Sequence, residues 1–487
     1  MQNLSKKLVI LIKLKLGVTI IMPRYIKSIE AEAVLGRFDI YQEFQEGVNV
    51  LYGKNGTGKT TLLHILANLL NGDYKRFAFI EFKKIKVRLD DNTDVVVSKD
   101  KNEGKDIINI TKNDVREVNI SIEEIIEQEL LSDERVLRAS SYREKIIRRS
   151  DEGSITPVLP VAYFPAFRTM IEAWASSVEF NIQRSPRETR FLSTNFAREL
   201  FGSFVPSINY PSPIEIEGKL SEEIEEALLK IARADRENFG KLVPNIFQGI
   251  FQVLSPKSDS SEDSSLLLEK FEDILKEIDS LVKKLEDYPL KTAPTITQLR
   301  TSVALLQVDD QSKRIAERVL KIYREALKKV ITVQEDSFKT IEKYLNAVNS
   351  FLEGKNIEII LADQSRRKPS VGIKFDEGTP KTIPGIRRAL SSGEREIVTL
   401  IYAATHMSKQ QIVLIDEPEI SLHVDWQRHL LQKMSEQLGN RQIIVCTHSP
   451  VIGADYEEQI IIFEPKITCS SKIAIDNELV DEDNEVF

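Results

Sequence analysis

Four short stretches carry residues able to do chemistry together. The first, Gly53-Lys54-Asn55-Gly56-Thr57-Gly58-Lys59-Thr60, surrounds a lysine and a hydroxyl with glycines. Glycines let the backbone wrap closely around a phosphate with its N–H groups pointing inward, and a helix starting near Lys59 adds its positive end. Lys59 is expected to reach the β- and γ-phosphates of a nucleotide, with Thr60 giving its hydroxyl to Mg²⁺ and Thr61 among the nucleotide-binding residues. The second stretch, Gln411 to Glu419, is an apolar run ending in adjacent carboxylates. Asp416 can hold the Mg²⁺ that Thr60 holds, and Glu417 can orient or deprotonate an attacking water. The third, Leu390-Ser391-Ser392-Gly393-Glu394, opens a helical run, Arg395–His406. Ser391 or Ser392 is the expected N-cap, so hydroxyls, the Gly393 amide and the helix dipole form a second anion-binding surface. One nucleotide already has its phosphate loop, so this surface is best used on the nucleotide of a partner copy. The fourth, Thr447-His448-Ser449-Pro450, follows an apolar run, and His448 can contact a γ-phosphate and report its loss. Together the four predict binding and hydrolysis of ATP with Mg²⁺.

The surrounding pattern predicts the elements that hold these groups. Tyr25–Val34, Phe38–Phe44 and Val48–Tyr52 read as strands, and Lys59–Leu70 as a helix with a broad leucine face. Phe77 to Asp114 alternates like a hairpin layer, and residues 118–149 read as helical. From Phe180 to Gly354 helical spacing dominates, strongest at Ser221–Ala234, Leu266–Leu285 and Gln311–Leu352, with a loop of serines and acids at Ser255 to Ser265. No sustained heptad seam is evident, which favours a compact helical lobe over a coiled-coil arm. Strands resume at Ile357, and Val413–Ile415 and Gln442–Cys446 are apolar runs of the kind buried in a parallel sheet. The predicted order is an extension at 1–21, a first half-head at 22–175, a helical insertion at 176–354, a second half-head at 355–475 and an acidic tail at 476–487.

Bulk composition narrows the class. The chain has 487 residues, 41% hydrophobic and 29% charged, with a net charge of -8, which is ordinary for a soluble globular protein. That charge argues against a uniformly basic nucleic-acid coat and leaves room for local basic patches. Two cysteines, Cys446 and Cys469, are too few for a metal cage or a disulfide framework. Leu8 to Ile21 is apolar but broken by Lys13 and Lys15, so a membrane span or signal peptide is disfavoured and a cytoplasmic location is expected. Translation from either Met1 or Met22 fits the pattern.

The four motifs resemble those of the ABC-type ATPase superfamily, in which Leu390 to Glu394 matches the signature motif. Asp416-Glu417-Pro418-Glu419-Ile420-Ser421-Leu422-His423, then Trp426-Gln427 and Thr447 to Pro450, is similar to the soluble RecF-, SMC- and OLD-like AAA-type branch. That branch includes ATPase subunits of anti-phage systems such as Septu and PARIS. The resemblance covers residues 22–90 and 385–463 and implies an α/β P-loop NTPase head, a mixed sheet with a flanking antiparallel layer, split by the helical insertion. It implies ATP sandwiched between two heads of a homodimer or higher homo-oligomer, Ser391, Ser392 and Gly393 of one copy facing the phosphates held by Lys59 of the other. Glu417 becomes the catalytic base and His448 the switch residue.

Some features depart from the pattern. Transporter heads usually carry an aspartate at the place of His423, so Asp425 receives no D-loop role, and no Q-loop glutamine is identifiable. Arg168, in Tyr163-Phe164-Pro165-Ala166-Phe167-Arg168, is a candidate for a nucleotide or lobe contact. OLD-like proteins carry a Toprim nuclease after the ATPase, and the 37 residues after Pro450 are too short for one. The leading expectation is therefore an ATP-gated sensor or scaffold controlling a separate effector, a nuclease chain, in anti-phage defence. A DNA-binding repair or chromosome-maintenance ATPase is the alternative. Its nucleic-acid contacts would come from Arg143, Lys145, Arg148 and Arg149, from Arg184, Arg187 and Arg190, or from Arg366, Arg367 and Lys368. A transporter subunit, which needs a membrane partner, is disfavoured.

Overall fold

The computed structural model describes residues 25–102, 105–136, 157–181, 186–254, 271–286, 310–361, 368–377, 382–386, 389–439 and 441–467. The expected N-terminal extension, the loop at 255–265, the acidic tail, Cys469, the cluster at 143–149, and Arg184, Arg366 and Arg367 lie outside these residues. The chain divides into two compact units, one running to Ser212 and resuming at Ser391, the other spanning Pro213–Leu390.

The first unit contains β1 (Ile26–Val34), β2 (Phe38–Glu43), β3 (Gly47–Tyr52), α1 (Lys59–Leu70), β4 (Lys84–Leu89), β5 (Asp94–Asn102), β6 (Lys105–Lys112) and β7 (Val115–Ser121). It continues with α2 (Ile122–Val136), β8 (Val161–Phe164), α3 (Arg168–Asn181) and α4 (Pro186–Phe201). The second unit holds α5 (Pro213–Gly240), α6 (Leu242–Leu254), α7 (Phe271–Glu286), α8 (Asp310–Asn349), β9 (Lys355–Ile360), β10 (Ser370–Phe375) and β11 (Ile383–Pro384). The chain then returns to the first with α9 (Ser392–Ala404), β12 (Ile412–Asp416), α10 (Val424–Leu438), β13 (Gln442–Thr447), β14 (Ile460–Ile462) and β15 (Lys466–Ile467).

Two sheets organise the first unit. One is parallel throughout, in the order β14-β3-β13-β12-β8. Its inner strands β12 and β13 are buried at every residue, which is why they read as unbroken apolar runs. The other is antiparallel, in the order β15-β2-β1-β4-β5-β6-β7, and its strands alternate as a one-sided layer should. Helix α1 contributes Leu62, Leu63, Ile65, Leu66, Leu69 and Leu70 to a core shared with Ile26 and Ile29 of β1 and Leu414 of β12. Each such buried side chain contributes about 1.5–3 kcal/mol. Gln442, fully buried, ties the sheets together: its amide nitrogen donates to the carbonyls of Ile26 and Gln45, and its oxygen accepts from the Ile26 N–H.

The second unit packs Ile274, Ile278 and Val282 of α7 against Leu320, Tyr323, Leu327 and Val330 of the long helix α8. Its three strands pair antiparallel in the order β11-β10-β9. The units are therefore bounded differently from the sequence expectation of an insertion at 176–354. Helix α4 belongs to the head because Arg198 bonds Asp73 and Asn68 bonds the Phe204 carbonyl, whereas β9 to β11 belong with the helices. Residues 118–121 finish strand β7 rather than beginning a helix, since Val118, Asn119, Ile120 and Ser121 pair with β6. No helix among the described residues is long and apolar enough to cross a membrane.

Candidate nucleotide site

Parallel strands deliver their carboxyl ends to one edge, the place where open α/β sheets bind ligands. Here β3 runs into the glycine loop, β12 ends on Asp416, β13 ends on Thr447 just before His448, and β8 leads to Arg168. Strand register fixes the convergence, with Asp416 beside Cys446 and Thr447 beside Tyr52.

The glycine loop adopts backbone that only glycine enters freely at two points, Gly56 with φ 76° and Gly58, the N-cap of α1, with φ 92°. Gly53 lies so close to the Phe463 carbonyl that a Cβ would stand 2.9 Å from it. Lys54, Asn55 and Gly56 form an exposed tip, and the Thr57 hydroxyl donates to the Lys54 carbonyl at 2.9 Å. Buried Lys59 donates from Nζ to the carbonyls of Gly53 at 2.8 Å and Lys54 at 3.1 Å, and lies 3.3 Å from His448 Nδ1. Thr60 donates from Oγ1 to Asp416 Oδ2 at 2.9 Å, and Thr61 follows on the same turn.

Asp416 is 2% exposed, and burial raises its carboxyl to about 6 against the pull of the Thr60 hydroxyl and Lys59. Its second oxygen, Oδ1, is buried with no hydrogen-bond partner. A buried carboxylate oxygen without a donor, beside a threonine hydroxyl, fits a hard cation that takes oxygen ligands. Among the described residues no group of three or more His, Cys, Asp or Glu could hold a metal ion. Thr60 and Asp416 fit Mg²⁺, which a single carboxylate and a hydroxyl would hold together with ligands from outside the protein.

Glu417 sits just beyond, at φ 48°, a conformation uncommon for a residue with a side chain. Its N–H donates to the Cys446 carbonyl at 2.8 Å, and its Oε1 lies 2.6 Å from His448 Nε2. Burial and the neighbouring Glu419 carboxyl push the Glu417 carboxyl well above the usual range. Glu419 goes the other way despite burial, because its Oε1 accepts from the Thr447 hydroxyl and from the N–H groups of His448 and Ser449. Gln427 completes the lattice, donating to the carbonyls of Glu419 and Leu422 and accepting from the Ser449 hydroxyl. Glu419 and Gln427 therefore hold the loop bearing His448 against the loop bearing Glu417. Sequence reading gave neither residue a role, and their only signal was their place within one continuous motif.

Of the two serines left open as N-cap, Ser391 is the cap. Its hydroxyl accepts from the Glu394 N–H, and the Glu394 carboxylate accepts from the Ser391 N–H at 2.7 Å, a reciprocal capping box. Glu394 is thus buried and turned back on its own helix, while Ser391 and Ser392 are exposed. Gly393 presses against the chain after β12, where a Cβ would meet the Ser421 carbonyl at 2.9 Å.

Arg168 is not placed as a nucleotide contact. It is 4% exposed and spends its donors on the carbonyls of Pro165, Asp416, Glu417, Pro418 and Ile420 and on the Glu396 carboxylate. Behind the site, His64 of α1 meets the Tyr163 hydroxyl at 2.8 Å, enclosed by the Tyr163 and Phe204 rings, and burial lowers its pKa to about 3. Between the ordinary value of 6.5 and about 3 the unfolded chain binds a proton there that the folded chain does not, so stability falls with pH across that window. His64→Gln is expected to flatten this acid limb, read as a smaller shift of the urea midpoint between pH 7 and pH 5 than in wild type.

Residues 48–455 match the family described as "AAA domain, putative AbiEii toxin, Type IV TA system". A stretch of 151 residues is 29% identical to a probable ATPase of retron Ec83 from Escherichia coli, covering 29% of this chain and 26% of that one. Another of 75 residues is 32% identical to a probable ATPase of retron Vc95 from Vibrio cholerae serotype O1 biovar El Tor, covering 13% and 15%. The matches thus span about a quarter or less of the length of these curated relatives. Among solved structures, an Smc head domain from Pyrococcus furiosus aligns over 91% of this chain and 96% of its own, at 14% identity and a TM-score of 0.38. With a model that matches from the start of the phosphate-loop strand to beyond His448, the chain belongs to this AAA family of ATPases.

Proposed function

We propose that the chain binds ATP with Mg²⁺ at this edge and hydrolyses it, and that two copies close over nucleotide to control a separate effector, a nuclease, in anti-phage defence. The observation that carries the reading is the Thr60 hydroxyl on Asp416 Oδ2 at 2.9 Å, with Lys59 on one side and the Glu417–His448 pair on the other. Lys59 exchanges its loop carbonyls for phosphate oxygens, since hydrogen bonds to a charged acceptor are roughly twice as strong. Mg²⁺ held by Thr60 and Asp416 would neutralise charge on the phosphates. Glu417, just beyond the cation ligand and 2.6 Å from His448 Nε2, would accept a proton from the attacking water, with His448 orienting it.

The pairing step rests on the exposed hydroxyls of Ser391 and Ser392 at the start of an otherwise buried helix, a surface suited to phosphate. The defence role is supported by the motif resemblance and by the retron ATPase names of two relatives. Purified protein is expected to hydrolyse ATP only with Mg²⁺ and to form pairs on ATP, read by light scattering. Ser392→Glu, which sets a carboxylate against a partner's phosphate, is expected to keep nucleotide binding and lose pairing. Protein that neither hydrolyses ATP nor changes assembly state with it rules the reading out.

A further inference from the structure

Arg168 and Glu396 occupy the first unit at a point where three elements meet. Arg168 opens α3 directly after β8, Glu396 lies one turn inside α9, and the carbonyls that Arg168 engages belong to the loop leaving β12. Both side chains are about 4% exposed, and the guanidinium Nε and Nη2 both bond one oxygen of Glu396. A second ion pair runs parallel to the first, from Glu172 of α3 to Arg395 of α9 at 2.5 Å.

The carbonyls held by Arg168 are those of Asp416, Glu417, Pro418 and Ile420, four of the five residues from the cation ligand through the turn. Glu417 stands there in a left-handed conformation, which a residue with a side chain keeps only where its surroundings over-determine it. A planar fork with five donors can pin several carbonyls at once, which a lysine ammonium, radiating from a single point, cannot. On the other side, α9 is a stiff element whose Ile397, Val398, Leu400 and Ile401 are fully buried. Its exposed end, Ser391 and Ser392, lies about 6–8 Å along the axis from Glu396, at 1.5 Å per residue. Any displacement of that end is therefore carried to Glu396, and through Arg168 to the backbone of Glu417.

We infer that Arg168 is a positioning residue which, through Glu396, couples engagement of the start of α9 to the alignment of Glu417. The inference rests on the proposed pairing of heads over ATP. It gives hydrolysis a device that waits for the second copy: the surface meeting the partner's nucleotide and the loop bearing the base are joined by one guanidinium. Arg168 touches no reacting atom, so its loss acts on turnover rather than on nucleotide affinity.

Arg168→Lys and Glu396→Gln test this. Both are expected to bind a fluorescent ATP analogue within about threefold of wild type and, combined with Glu417→Gln, to pair on ATP as that single variant does. Steady-state kcat is expected to fall at least about tenfold in Arg168→Lys and about threefold in Glu396→Gln, with KM little changed. In wild type the rate per chain rises with protein concentration as pairs form, and in Glu396→Gln that rise is blunted although light scattering still reports pairs. Affinity and kcat lost in proportion, or wild-type turnover in both variants, overturns the inference and leaves the ATPase reading standing. Wild-type protein that does not hydrolyse ATP or does not pair overturns both. Should Arg168→Lys fail to fold in a thermal melt, Glu396→Gln, which keeps an oxygen acceptor in place, decides alone.

Discussion

Glu417→Gln protein is expected to bind ATP with near wild-type affinity, to hydrolyse it at least about a hundredfold more slowly, and to accumulate as closed pairs. The amide matches the carboxylate in shape and keeps an oxygen within reach of His448 Nε2, now 2.6 Å from Glu417 Oε1, so the site keeps its geometry. What disappears is the acceptor for a proton from water, and general-base contributions of about 10²- to 10⁴-fold set the size of the loss. Without nucleotide the same substitution is expected to stabilise the fold. The Glu417 carboxyl is held well above the ordinary 4.5. In the window above 4.5 the folded chain binds more protons than the unfolded one, and stability declines as pH rises. The glutamine has no proton to lose, so its melting temperature should exceed that of wild type by a margin that grows from pH 5 to pH 8. Single-turnover hydrolysis, light scattering and the two melts check these results, and an unchanged rate would falsify the assignment of Glu417.

The candidate site was legible because the residue types that suggest it stand in contiguous stretches. The glycine loop between β3 and α1, the carboxylates closing β12 and the histidine after β13 each declare both residue type and strand end, and parallel pairing then leaves little freedom in where they meet. Less legible was everything that acts across sequence distance. Arg168 reaches Glu396 over 228 positions and the Asp416 carbonyl over 248, and nothing near Arg168 announces those partners. Strand β8 escaped notice because Val161–Phe164 is only four residues and is followed at once by Pro165. Glu394, expected to face a nucleotide, caps its own helix in a box with Ser391, a pairing that a serine three residues ahead of a glutamate allows. The insertion boundaries moved for a related reason. Short strands at 355–384 look the same in sequence whether they extend a nucleotide head or close a helical lobe, and only their pairing with one another distinguishes the two.

Lys59→Ala is expected to weaken ATP binding by roughly 10²- to 10⁴-fold while leaving the fold nearly as stable as before. Its Nζ now donates to the Gly53 and Lys54 carbonyls at 2.8 and 3.1 Å, in a loop whose tip is open to water. Those carbonyls can be hydrated when the amine is removed, and a hydrogen bond exchanged for water costs only about 0.5–1.5 kcal/mol. Binding is different, because bonds from an ammonium to phosphate contribute about 1.5–3 kcal/mol each, and two of them convert to the stated loss of affinity. Calorimetric titration with ATP and Mg²⁺ reads the effect. Thr60→Val supplies the contrast, since it removes the hydroxyl that bonds Asp416 Oδ2 at 2.9 Å and leaves the amine in place. Its defect should appear with Mg²⁺ and vanish when EDTA is added, whereas the Lys59→Ala defect persists in both conditions. Two neighbouring residues on one turn of α1 then separate into a phosphate contact and a metal contact. A Lys59→Ala chain that binds within threefold of wild type would move the nucleotide away from the carboxyl edge of the parallel sheet altogether.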